Sequence, residues 1–180
     1  MEYINKISDY LELEKQIISK IDIHIINKII ETIKNSQRIF IFGNGGSAAT
    51  SSHMACDFNK GIGLSAFSLA DQTPLILAIA NDYDYDKIFS EQLKTIFNLN
   101  EKDLIIGISG SGNSRNVIDG IIYAKKFNCK TISLTGYGGG LLGKITDINL
   151  NVPIDNMQII EDVHLIINHL ITSILKEEQI

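Results

Sequence analysis

The sequence is short of most things that mark secreted, membrane-bound or nucleic-acid-binding proteins. Its two cysteines, Cys56 and Cys129, are too few and too far apart for a disulfide framework or a zinc knuckle, so a reducing cytoplasm is the expected setting. No stretch approaches the roughly 20 consecutive apolar residues that cross a bilayer. The opening "MEYINKISDYLELEKQI" mixes acids and amides where a secretion signal has a basic start and an unbroken apolar run. Basic residues are outnumbered, 16 Lys and Arg against 21 Asp and Glu, and the net charge of −5 argues against a partner such as nucleic acid or an acidic membrane. A small anion stays open, because backbone N–H groups bind one whatever the overall charge. Tryptophan is absent and proline occurs twice, so glycine supplies most of the punctuation. What is abundant is apolar side chain, 44% of 180 residues, enough to bury the core of one domain spanning 1–180 without disulfides or metals for stability.

The apolar residues are arranged with two alternating periods. From about Ile7 to Asn35 they recur at spacings of three and four, which predicts one or two amphipathic helices forming an N-terminal extension over about 1–36. The run "RIFIFG" (38–43) reads as a buried strand, and "SAATSSHMACDF" (47–58) as a helix opening with Ser47 near its N-cap. Further strands are expected at 65–70, 103–109, 130–135 and 147–153, separated by helical patterns at roughly 74–97, 115–127 and 139–145 and followed by a long helix over 156–178. Strands that are apolar throughout and alternate with helices predict an α/β fold: a doubly wound parallel sheet flanked by helices on both faces.

Two Gly/Ser/Asn loops stand out, "GNGGS" at 43–47 and "SGSGNS" at 109–114, each following an expected strand. Ligands of open parallel sheets bind beyond the carboxyl ends of strands. Glycine there lets backbone approach a ligand, and the next helix presents free N–H groups with partial positive charge. One such loop would pass as an ordinary strand–helix turn; two, the second with three hydroxyls in six residues, point to an anion. Neither has the spacing of a dinucleotide fingerprint or the Gly-Lys-Ser/Thr of a P-loop, so a monophosphate fits better than a nucleotide.

Imidazoles and carboxylates form the second feature. His53 and Asp57 are four apart and share one face of the helix after the first loop. The last helix carries Glu161, Asp162, His164 and His169, the last of these inside the apolar "LIINHLI". These groups suit a divalent metal with mixed N/O ligands, a general acid–base pair, or merely the polar face of an amphipathic helix. Glu161 and His169 stand about 12 Å apart along a helix axis, so one metal meets both only if their side chains converge or different subunits supply them.

Four stretches, "FGNGGSAATSSHMACDF", "AIANDYDYDKIFSEQL", "IGISGSGNSRNVIDGIIYAK" and "QIIEDVHLIINHLI", together resemble the phosphoheptose isomerases of the sugar isomerase (SIS) superfamily, over about Ile41–Ile174. The resemblance implies a five-stranded parallel sheet in a homotetramer, with active sites between subunits that take a small phosphosugar. It implies that Asn44, Gly45, Gly46 and Ser47 with Ser109, Gly110, Ser111 and Ser114 hold the sugar phosphate, and that Asn81 and Asp82 match the family's Asn-Asp pair. The family's zinc ligands, a His and a Glu four apart and a Gln and a His eight apart, fall on His53, Asp57, Glu161 and His169, which implies one Zn2+ per subunit. Asp57 is a methylene shorter than the family's Glu, and Glu161 brings a charge where the family has an amide; both still offer oxygen to a metal and to substrate.

The implied reaction interconverts sedoheptulose 7-phosphate and D-glycero-D-manno-heptose 7-phosphate through an enediol, on the route to activated heptose. Such chemistry needs a base near the migrating proton, an acid at the oxygens and stabilisation of developing charge. Asp57 is the expected base and His169 the expected acid. Two alternatives are a non-catalytic SIS module that binds a phosphosugar or protein partner as a regulator, and an isomerase of another phosphosugar.

Overall fold

The chain is described here from a computed structural model, which covers residues 3–178. Five strands form one all-parallel sheet: β1 (Arg38–Gly43), β2 (Ala66–Ser68), β3 (Asp103–Ser109), β4 (Lys130–Gly136) and β5 (Ile148–Val152), in the order β2-β1-β3-β4-β5. Their uniformly apolar sequences follow from burial on both faces. In β1, Ile39 and Ile41 enter one core while Phe40 and Phe42 enter the other, and neither pair is exposed by more than 1%.

The first core lies under α1 (Ile4–Ile18), α2 (Ile23–Lys34), α3 (Gly46–Cys56) and α8 (Met157–Glu177). The second lies under α4 (Thr73–Asp82), α5 (Ile88–Ile96), α6 (Arg115–Lys125) and α7 (Leu142–Ile145). The sheet is therefore doubly wound, as expected.

Several expected boundaries move. The periodicity over 7–35 divides into α1 and α2, because Asp22 accepts the His24 N–H at 2.8 Å and caps a new helix. The two behave differently: α2 buries Ile26, Ile29, Ile30 and Ile33 in the first core, whereas α1 buries only Ile17 and leaves Ile4, Ile7 and Leu11 exposed. The expected 74–97 helix breaks into α4, a 3-10 turn at Tyr85–Lys87 and α5, where the Asp84 carboxylate accepts the Asp86 N–H at 2.9 Å. The helix expected over 139–145 shortens to α7, since Gly139 N–H turns back to the Gly136 carbonyl. The helix after β1 ends as an α-helix at Cys56 and widens into a π-turn over Asp57–Gly61.

Candidate active site

Strand order reverses between β1 and β3, and the chain leaves these neighbours toward opposite faces of the sheet, into α3 and α6. Loops that part in this way open a crevice at the carboxyl edge. Both Gly/Ser loops lie there. Asn44, Gly45 and Ser47 from the first and Ser109, Gly110, Ser111 and Ser114 from the second line a cavity of about 240 Å³, closed by Ile108, Met157 and Glu161. A larger depression of about 420 Å³ beside β2 gathers none of these residues.

The cradle presents two helix N-termini without side-chain caps. Ser47 is not the N-cap of α3: Gly45 holds that position, with φ +56°, which residues bearing a side chain adopt only under strain. Gly45 has no side chain to offer, so the first-turn N–H groups of α3 are left for a ligand. At α6 the N-cap is Ser114, yet its hydroxyl does not cap the helix; it accepts from Ser109 Oγ at 3.0 Å, and Ser109 lies 3.4 Å from Ser111 Oγ.

Both loops are braced from behind. The Asn44 and Asn116 side-chain amides exchange hydrogen bonds at 2.9 and 2.8 Å, and the Tyr85 hydroxyl donates to Asn44 Oδ1 at 3.0 Å. Asn44 thus ties the first loop to α6. The second loop is held by Gly136 N–H to the Gly110 carbonyl and Leu142 N–H to the Gly112 carbonyl, each at 2.8 Å.

The second half of the site is made of side chains on helices. His53, in the last turn of α3, and His169, on α8, face each other with their Nε2 atoms 2.9 Å apart. Asp57, one helical turn after His53 with its N–H still bonded to the His53 carbonyl, stands beside them, its Oδ2 at 3.4 Å from His53 Nε2 and 3.9 Å from His169 Nε2. All three ligand atoms fall within 4.8 Å of one another. The helix widens into a π-turn just after this point, a rare feature that is frequent at functional sites.

Other expected site residues lie elsewhere. Glu161 does not join the cluster: its carboxylate packs on the backbone of Gly46, where a Cβ would collide with it, and it lines the Gly/Ser cavity. The helical rise separates it from His169 on the same chain. Asn81 and Asp82 are exposed at the end of α4, bonded to each other at 2.9 Å and outside the cavity lining. His164 is fully buried, donates Nε2–H to the Thr135 carbonyl at 3.1 Å and has its pKa pushed down to about 4 by burial, so it is a neutral anchor of α8 on β4. Sequence reasoning passed over Tyr85, Asn116, Met157 and Asn168. Only Asn168 carried a signal, as a second polar residue inside "LIINHLI".

The SIS domain profile matches residues 2–136. The chain is 40% identical over 154 residues to a phosphoheptose isomerase of Aliarcobacter butzleri, covering 83% of this chain and 80% of that protein. The chain belongs to the phosphoheptose isomerase family of SIS domains. It is also 40% identical over 161 residues to a probable phosphoheptose isomerase of Thermoplasma acidophilum, with 87% of each chain covered. Among solved structures, the phosphoheptose isomerase GmhA of Neisseria gonorrhoeae superposes with a TM-score of 0.89 at 31% identity, over 98% of this chain and 100% of that one.

The zinc ligand pattern expected for this family is testable on the cluster's donor set. Ligand atoms on one tetrahedral zinc ion, at bond lengths near 2.0–2.2 Å, stand about 3.3 Å apart. The Nε2–Oδ2 separation of 3.4 Å at His53 and Asp57 matches, the two imidazole nitrogens at 2.9 Å are slightly closer, and His169 Nε2 to Asp57 Oδ2 at 3.9 Å is wider, so the three average near the tetrahedral value. Two borderline nitrogens and one carboxylate oxygen suit zinc and leave a coordination position open, as catalytic sites do. His53, Asp57 and His169 therefore fit a divalent metal; Glu161 of the same chain does not complete the set.

Proposed function

We propose that the protein is a zinc-dependent isomerase interconverting sedoheptulose 7-phosphate and D-glycero-D-manno-heptose 7-phosphate. The observation that carries this reading is the pairing, along α8, of an anion cradle at Glu161 with a His/Asp/His cluster at His169, in a chain of this family. The two lie about 12 Å apart along the helix, which suits an elongated substrate with phosphate at one end and carbonyl at the other.

Asn44, Gly45, Gly46, Ser47, Ser109, Gly110, Ser111 and Ser114 hold the phosphate through hydroxyls and the N-termini of α3 and α6. His53, Asp57 and His169 hold the metal, which when bound supplies Lewis-acid polarisation of the sugar's C1 and C2 oxygens. Contacts to both histidines converge on Asp57 Oδ2, leaving Oδ1 to take a proton from C1 of the ketose. That electron pair forms the C1=C2 bond of an enediol while His169, through the Nδ1–H left to it when Nε2 is a metal ligand, protonates the C2 oxygen. Returning the proton to C2, with loss of the C1 hydroxyl proton, gives the aldose. Glu161 faces the substrate from the cavity wall.

The same reading makes the whole chain one SIS domain, active in the cytoplasm as a homotetramer. The exposed apolar residues of α1, Ile4, Ile7 and Leu11, support subunit contact, with Asn81 and Asp82 reaching the site of a neighbouring subunit. Light scattering checks the assembly. The function is tested by incubating purified protein with sedoheptulose 7-phosphate, with and without Zn2+, following aldose formation by NMR and metal content by elemental analysis. Turnover with bound zinc is expected. Binding of the phosphosugar without conversion would instead establish a sensing module.

A further inference from the structure

Asp57 is supported by a residue that the proposed chemistry does not use. Asn168 precedes His169 on α8, is fully buried, and donates Nδ2–H to Asp57 Oδ2 at 2.8 Å. That oxygen is also the one facing both imidazoles. Asn168 Oδ1, buried as well, has no hydrogen-bond partner among the described residues.

A half-satisfied amide in a buried helix face costs stability. A leucine has the same number of side-chain heavy atoms, branched at the same carbon, and would leave no orphaned atom. What the amide offers in exchange is one N–H group, and that group is committed to Asp57. A hydrogen bond to a charged carboxylate is short and directional, so it holds the carboxylate's orientation as well as its place.

We propose that Asn168 is the positioning residue of Asp57, fixing Oδ2 toward His53 and His169 and leaving Oδ1 free for the substrate's proton. The proposal rests on the reading of His53, Asp57 and His169 as a metal and acid–base centre. Asn168 acts through Asp57, with its side chain sealed from solvent. Outer partners that orient a metal-binding carboxylate change metal affinity by about 10- to 100-fold when removed.

The test is Asn168→Leu in the full-length protein, with Co2+ as a spectroscopic probe titrated by its visible absorption. The variant is expected to stay folded, the loss of an orphaned polar atom offsetting the bulkier side chain. Its Co2+ affinity is expected to fall about 10- to 100-fold, and kcat about tenfold with KM for the phosphosugar within about threefold, since the cradle is untouched. In an Asp57→Asn background the same change is expected to alter Co2+ affinity by less than about twofold, as its effect runs through the carboxylate. Asn168→Ala gives the same readings if leucine does not pack. A folded Asn168 variant that binds Co2+ like the parent, or an undiminished effect in the Asp57→Asn background, overturns the proposal while leaving the isomerase reading standing. A parent protein that binds no Co2+ and turns over no phosphosugar overturns both.

Discussion

The Gly/Ser cradle and the His53/Asp57/His169 cluster share helices α3 and α8, but they are built by opposite means. The cradle is loop backbone and short hydroxyls, placed by strand order: wherever β1 and β3 end side by side and their chains part, two loops face each other. The cluster is three side chains from separate turns of helix: its 3.4 Å separation comes from the four-residue spacing of His53 and Asp57, and its 2.9 Å separation depends on the register of α8 against α3. Cradle chemistry tolerates change because several donors share one anion. Cluster chemistry does not, because each atom has one task.

The sharpest way to break this contrast is to remove one member of the cluster. Asp57→Asn keeps the shape and removes the proposed base, His169→Ala removes the proposed acid, and each also removes a proposed metal ligand. Each is expected to lower kcat by about 10²- to 10⁴-fold, the usual worth of a positioned acid or base, with KM changed by less than about threefold. Steady-state kinetics on sedoheptulose 7-phosphate decides it. A large rise in KM at constant kcat would mean that the cluster binds substrate and leaves the proton transfer to another group.

The next effect concerns the helix common to both regions. His164 sits between Glu161 and His169 on α8, and burial holds its folded-state pKa at about 4, below the unfolded value of 6.5. Between those values the unfolded chain carries a proton that the folded chain does not. The stability is fully present above about pH 6.5 and is lost as pH falls toward 4, to the extent of about 3 kcal/mol. Urea unfolding from pH 7 to pH 4 is expected to show that loss in the parent and a correspondingly flatter profile in His164→Gln, whatever the variant's absolute stability. Equal slopes would place the acid sensitivity elsewhere.

The same contrast explains what could be read without coordinates. The sheet, its winding and the cradle were legible because each depends on local signals: continuous apolar runs for strands, a period near 3.6 for helices, glycine and serine at strand ends. The break at Asp84 was missed, and the choice between one and two helices over 7–35 was left open, because a single carboxylate capping a backbone N–H interrupts a period without changing it. For the cluster, residue types and the pairing of His53 with Asp57 were legible: the helix is still α-helical where the Asp57 N–H bonds to the His53 carbonyl, and it widens only beyond that point. The register of α8 that brings His169 to 2.9 Å from His53 was not, because it depends on packing between distant segments. Glu161 belongs by family pattern with His169, yet within one chain the helical rise carries it to the cradle instead.

Removing one cradle donor is expected to have a smaller effect than either of the preceding changes. In Ser114→Ala the hydroxyl that accepts from Ser109 is lost while the α6 backbone remains in place. A hydrogen bond to a charged group is worth about 1.5–3 kcal/mol, and sharing among neighbouring hydroxyls puts this one at the lower end, so KM is expected to rise about tenfold with kcat within about twofold. A kcat loss as large as that of Asp57→Asn would erase the distinction between the two regions.

The smallest expected effect lies at the one residue where the two regions meet in charge. The Glu161 carboxylate packs against Gly46 at the N-terminus of α3 and forms part of the cavity wall, so it occupies the favourable field of the helix end that a phosphate would use. Two anions there repel, and Glu161→Gln removes the repulsion with little change of shape. Inorganic phosphate, measured as a competitive inhibitor, is expected to bind about fivefold tighter to this variant, near the 1 kcal/mol scale of a single partly screened charge pair. The gain is expected to shrink as ionic strength rises past about 0.15 M, where charges at the mouth of the cavity are screened within about 8 Å. Unchanged or weaker phosphate inhibition would move the phosphate away from α3 and make Glu161 a partner of the sugar hydroxyls instead.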